Sequence, residues 1–288
     1  MTTPATAPLP SAVGTADAPL AAAASAAAIR TLKPVKVAER VTFTRLVLVE
    51  LRKFVDTRAG QWLIGLSVIG SVLVSVGIAL LYRQFSNLFE GTNWLLPATF
   101  IGLPINLLVP VVIVLLFSQE WGQRTTLTTF AIEPRRGRVL AAKGLVALAI
   151  SVIGWALIQG LSALTTVVGS ALTSQSVDWH TEPKQLFGQL VGFLLSNAMA
   201  AAFALVLMNT AAAIVLVMAL PSVVSAVGLL GSTGQKVASW IDLSTASLVL
   251  YADPAPENGW WKLAVASVLW IVIPAGVGVW RNLTREAN

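Results

Sequence analysis

Cysteine is missing from this 288-residue chain, and histidine occurs once, at His180. Without thiols there are no disulfides and no thiolate metal sites, and hydrolytic chemistry that needs an imidazole has a single residue to draw on. Charge is scarce too: Asp, Glu, Lys and Arg make up 11% of the residues, against 56% hydrophobic ones. A soluble domain of this length cannot bury so much apolar surface. A phosphate cradle is also lacking, because "GLLGSTGQK", Gly228–Lys236, puts Gln235 after Gly234 and no Ser or Thr after Lys236. The cluster Asp178, His180 and Glu182 lacks a fourth fixed ligand, so no metal site is expected there. The first residues carry neither a cationic start nor a strongly apolar core, which argues against a signal peptide. Residues 1–38 read as a disordered cytoplasmic tail.

What the chain does have is long apolar runs. A helix needs about 20 apolar residues to cross a hydrocarbon core of roughly 30 Å. Six runs qualify: Trp62–Leu81, Leu96–Phe117, Gly144–Leu164, Leu186–Leu207, Ala211–Leu230 and Leu263–Trp280. They lack the alternation of barrel strands, so the expected fold is all-α and integral to a membrane. The stretch from Leu186 to Leu230 is too long for one span, and a turn is expected at Met208–Thr210. With six spans, Arg83, Lys184, Lys236 and Lys262 fall outside, and the other 15 of the 19 Lys and Arg residues fall inside. Five spans would put Arg281 and Arg285 outside, against the positive-inside bias. Both termini are therefore expected in the cytoplasm, and the net charge of +6 reflects orientation and anionic lipid rather than nucleic acid.

Two polar segments stand out. Residues 39–60 include "FTRLVLVELRKFVD", which as a helix sets Phe43, Val47, Leu48, Leu51, Phe54 and Val55 against Arg45, Arg52, Lys53 and Asp56. An amphipathic interfacial helix is expected, serving as an anchor or as an elbow that carries force into the first span. The second is Gln119–Lys143. Spans are usually joined by a few residues, but this connection is 25 long, with helix-forming "RTTLTTFAI", a break at Pro134, and Arg135, Arg136 and Arg138. The pattern predicts a helix, a turn and a second helix leading into the third span, together a docking surface on which Thr128 and Phe130 lie in the contact helix.

Inside the spans, small residues repeat every four positions at Gly188, Gly192, Ser196, Ala200 and Ala204, and at Ser67, Ser71 and Ser75. They predict close helix packing, within one subunit or between two. Asn106, Gln159 and Asn197 are polar residues in spans, as partners for interhelical hydrogen bonds or as lining of a substrate path. The second span is expected to bend between Pro104 and Pro110. No charged residue is expected deep in a span, which gives a proton or ion relay little to use.

The chain resembles the membrane subunits of ABC-2 type exporters, the actinobacterial permeases among them, over about residues 40–285. The likeness rests on Glu120 at the exit of the second span, Thr125, and "EPRRGRVLAAK" with Pro134, Arg136 and Lys143. It also rests on "VELRKFVDTRAG" with Glu50 and Lys53, and on the basic tail "WRNLTRE". Arg124 departs from the pattern, standing where such sequences often have Gly. The resemblance implies that 119–143 is a coupling segment seated in a cleft of a separate ATP-binding subunit, which holds the ATP and Mg. This chain itself would then carry no cofactor and no catalytic site. The implied partners are that ATPase, a second permease copy or close homologue, and lipid of the bacterial inner (plasma) membrane. An amphipathic, lipid-like or drug-like cargo fits the apolar path. The alternatives are an ion-coupled secondary carrier and a non-transporting anchor or sensor.

Overall fold

The computed structural model describes residues 42–81, 84, 94–122, 135–173, 177 and 179–284. The tail 1–38 and the coupling-segment residues Thr125, Thr128, Phe130 and Pro134 lie outside them. The described chain is helical without a strand, and six helices are long and apolar enough to cross a membrane: 58–81, 103–120, 136–173, 183–207, 210–227 and 259–284. Each of the six runs expected from hydropathy corresponds to one of them.

Helix α1 (Phe43–Val55) is capped by Thr42, whose hydroxyl accepts from the Arg45 amide. It stops at Asp56, and α2 (Arg58–Leu81) starts after a one-turn corner. Thr57 holds that corner by donating to the Phe54 carbonyl and accepting from the Gly60 amide. A side chain at Gly60 would collide with the Phe54 carbonyl, so the corner admits only glycine there. The interfacial helix is thus shorter than the expected 39–60, and residues 58–60 belong to the first span.

The second span breaks earlier than its prolines suggest. Helix α3 (Leu96–Ile101) ends at Gly102, and α4 (Leu103–Gly122) starts anew. Pro104 falls in the first turn of α4, where its missing N–H costs no intrahelical bond. Pro110 is accommodated within α4. Helix α5 (Arg136–Thr173) has 38 residues and is about 57 Å long at the usual rise, nearly twice a hydrocarbon core. It therefore extends the third span well beyond Gly144–Leu164. Helices α6 (Pro183–Leu207) and α7 (Thr210–Val227) meet at the expected turn. Met208 adopts left-handed backbone with φ of 51°, and Asn209 caps α7 by accepting from the Ala212 amide.

Between α7 and the last span lies structure that hydropathy did not announce. Helix α8 (Gly231–Ile241), the short α9 (Leu243–Ala246) and a 3-10 turn at Ser247–Leu250 fold over one end of the bundle. The Gly228–Lys236 stretch is a corner between α7 and α8, with Gly234 packed directly on the Val227 carbonyl. The last span runs as α10 (Gly259–Ser267), a wider π-type turn at Val268–Val272, and α11 (Ile273–Thr284).

Both small-residue seams pack inside the chain. Ser67, Ser71 and Ser75 form the buried edge of α2, and the Ser75 and Thr165 hydroxyls meet at 2.6 Å. Along α6, a Cβ at Gly188 would sit 2.6 Å from the Leu250 carbonyl, while Ala200 and Ala204 are fully buried. Gly192 and Ser196, in the middle of the same seam, face a cavity instead.

Candidate functional site

Two places concentrate polar chemistry, one toward each end of the bundle. At the end where α1 meets α4 and α5, four charged side chains converge. Lys143 Nζ donates to Glu50 Oε2 at 2.6 Å and to the Leu116 carbonyl at 3.0 Å, and lies 3.5 Å from Glu120 Oε1. Lys53 Nζ donates to Glu50 Oε1 at 2.8 Å and to Glu120 Oε1 at 3.0 Å. Among the described residues, two carboxylates and two ammoniums meet here. Glu50 is fully buried and Lys143 is 2% exposed, so each charge depends on the others in place of water. Burial works against the Lys53 ammonium, but its hydrogen bond to Glu50 and the charge of Glu120 outweigh that and hold its pKa above the ordinary lysine value.

The local cause is a stripe on α1. Leu46, Glu50 and Phe54 recur every four residues and are its buried positions, whereas Leu48, Leu51 and Val55 stay exposed. The apolar arc of α1 therefore divides, one edge packing on the bundle with Glu50 at its centre and the other left bare. Lys143, expected just outside the third span, is buried two turns into α5.

The residues read separately as interfacial helix (Glu50, Lys53) and coupling segment (Glu120, Lys143) are thus one cluster. Arg136 stands beside it, its guanidinium donating to the Asn282 carbonyl at 2.9 Å, and Arg281 donates to the Val206 carbonyl at 2.6 Å. These bonds bind the end of α11 to α5 and α6. Arg52 and Arg135 are exposed.

The second place is a cavity of about 500 Å³ walled by α3–α7 and by the α8–α9 cover. Asn106 and Gln159 line it, as expected for a path. Asn197 does not: it is buried and donates to the Ser151 hydroxyl at 3.0 Å, the interhelical role. Trp155, Gln189, Asp242, Tyr251 and Trp270 line the cavity as well and were not anticipated. A signal was present in α5, where Ser151, Trp155, Gln159, Ser162 and Thr166 recur at helical spacing as a polar stripe through a span. At the same end, Trp94 donates to Thr181 at 2.6 Å and Lys184 to the Ala252 carbonyl at 2.7 Å. His180 and Glu182 are exposed and 3.4 Å apart, and Asp178 lies outside the described residues.

The fold defines the class: a multi-pass, all-helical membrane protein. No family model matches the chain, and neither a curated protein nor a solved structure does.

Proposed function

We propose that the chain is the membrane-spanning subunit of an ATP-driven exporter of the ABC-2 type, set in the bacterial plasma membrane with both termini in the cytoplasm. A separate ATP-binding subunit powers it, and a second copy or close homologue completes the pore. The observation that carries this reading is the buried cluster of Glu50, Lys53, Glu120 and Lys143. Glu120 and Lys143 stand at the two feet of the 119–143 connection, and α1 holds both, Lys143 through Glu50 and Glu120 through Lys53. A push on that connection is delivered to α4, α5 and α1 together, because separating any of them exposes an unpaired buried charge. That is the mechanical property a coupling element needs. The cavity lies toward the opposite end, about 24 Å along α5 from Lys143 to Gln159. It offers cargo a place from which release leads outward.

Buried ionisable groups also fit an ion-coupled carrier, the second reading. A relay would need ionisable steps from the cluster to the cavity, and α5 has none between Lys143 and Gln159. The test is to isolate the full chain with its bound proteins in native-lipid discs, reconstitute the complex in proteoliposomes, and measure ATP hydrolysis and efflux together. The expected result is a Walker-motif ATPase in stoichiometric complex, no hydrolysis by the chain alone, and ATP-dependent efflux. Efflux driven by an ion gradient without nucleotide, or hydrolysis by the isolated chain, overturns the reading.

A further inference from the structure

The cavity between α5, α6 and α7 carries its own chemical signature. Toward the covered end its wall is polar, with Gln159, Gln189, Asp242, Ser244 and Tyr251. Toward the middle of the bundle it becomes apolar, with Phe193, Met199 and Leu220. No Lys, Arg or His lines it among the described residues. Asp242 is already engaged as a helix cap, its carboxylate accepting from the Ser244 amide at 3.0 Å and from the Thr245 hydroxyl at 2.5 Å. An anionic ligand therefore finds no counter-charge, and the free hydrogen-bonding capacity is that of neutral groups.

Two of those groups are unsatisfied. Gln159 is 8% exposed and gives its Nε2 to Gln189 Oε1 at 3.2 Å, but its own Oε1 is buried without a partner. The indole N–H of Trp155, one turn before it on the same face, is also buried and unpaired. Burial without a partner leaves such groups destabilising until one is supplied. Both atoms are covered by protein, but both belong to side chains on the wall, and the last torsions of Gln and Trp are soft. Turned toward the cavity, the indole N–H can donate to a ligand hydroxyl and the amide oxygen can accept from one. The volume falls in the range of sites for drug-sized ligands.

We infer that this cavity binds an uncharged amphiphile, its hydroxyl-bearing head held by Trp155 and Gln159 and its chain against Phe193, Met199 and Leu220. As the identity of an exported cargo the inference rests on the exporter reading; as a binding site it does not.

The probe is monodecanoylglycerol with a diazirine at its chain end, applied to the full chain in lipid discs without any ATPase, with labelled peptides mapped by mass spectrometry. Labelling is expected on α5–α7 and to be displaced by unlabelled monodecanoylglycerol. Its dimethyl ether and its phosphate monoester should compete about tenfold more weakly, the scale of one or two lost hydrogen bonds. Gln159→Leu should weaken displacement by a similar factor, and Ser196→Leu, which fills the wall, should abolish cavity labelling. Equal competition by all three amphiphiles, or labelling that maps elsewhere, overturns the inference, and this comparison on the unaltered protein decides even where a variant fails to fold. Hydroxyl-selective binding without ATP-driven efflux keeps the site and sinks the exporter reading. ATP-driven efflux without such binding does the reverse.

Discussion

Removing Glu50 and Lys143 together should damage the protein no more than removing either one alone. Glu50→Gln leaves the four-charge cluster with one excess buried cation, and Lys143→Met leaves it with one excess anion. Breaking a buried pair by deleting one partner costs about 3–5 kcal/mol. Lys143 is 2% exposed and Glu50 fully buried, with 2.6 Å between them, so the discount for solvent screening that applies to surface pairs is small. We take about 3 kcal/mol for each single change, because Lys143 keeps Glu120 and the Leu116 carbonyl while Glu50 keeps Lys53. The double variant Glu50→Gln/Lys143→Met removes one charge of each sign and leaves Lys53 and Glu120 paired at 3.0 Å. It should lose about 2–3 kcal/mol rather than the additive 6, a coupling of roughly 3 kcal/mol. The assay is reversible unfolding of the full chain by SDS in mixed micelles, followed by tryptophan fluorescence for wild type, both singles and the double. Single losses below about 1 kcal/mol, the scale of exposed pairs, would refute the reasoning. Additivity within about 0.5 kcal/mol would refute it as well.

Other consequences are simpler to test. Gly278→Ala places a methyl 2.6 Å from Leu205 Cβ and 2.8 Å from the α6 backbone, and should cost about 1–3 kcal/mol in the same assay. Gly276→Ala, with open space around it, should be neutral or stabilising by up to about 1 kcal/mol. The raised pKa of Lys53 means that its contribution to stability is fully present below the ordinary lysine value of about 10.4 and is lost as pH rises through the folded value. Unfolding curves should show that loss at high alkaline pH in wild type and lack it in Lys53→Met. Arg135→Gln/Arg136→Gln should leave membrane insertion intact, since other cations still set orientation. By removing the Arg136–Asn282 bond and nearby charge, it should lower the yield of complex with the proposed ATP-binding subunit in pull-down.

The six spans and the turn at Met208 were legible because length and hydropathy decide them directly. Four features were not, for different physical reasons. Glu50 looks like a solvated residue in any scale that scores side chains one at a time, and its burial is tolerable because Lys143, distant in sequence, joins Lys53 around it. The break at Gly102 precedes the proline that signals it, because Pro104 belongs to the start of the next helix rather than to a kink. Helices α8 and α9 are too short and too polar to register as spans, yet they form the cavity's cover. Among the polar span residues, Asn106 and Gln159 reached the cavity and Asn197 did not. The direction each helix face takes in the bundle decides which of them line the cavity, and Gln159 both lines it and bonds across to Gln189.

The stripe of small residues on α6 has a consequence for how such a protein can change. At Gly188 a single added carbon meets the main chain of Leu250, and Ala200 and Ala204 have no exposed surface left. Mutation at those three positions is punished in folding whatever is bound. At Gly192 the nearest neighbour of an added carbon is the Ser247 side chain at 3.9 Å, an ordinary contact, and Ser196 opens on the same space. One helix face thus holds rigid positions beside permissive ones. Stepwise enlargement at Gly192 and Ser196 would narrow the chamber methyl by methyl while the scaffold stays as it is, so that a lineage, or an engineer, can retune which molecules fit without first rebuilding the fold.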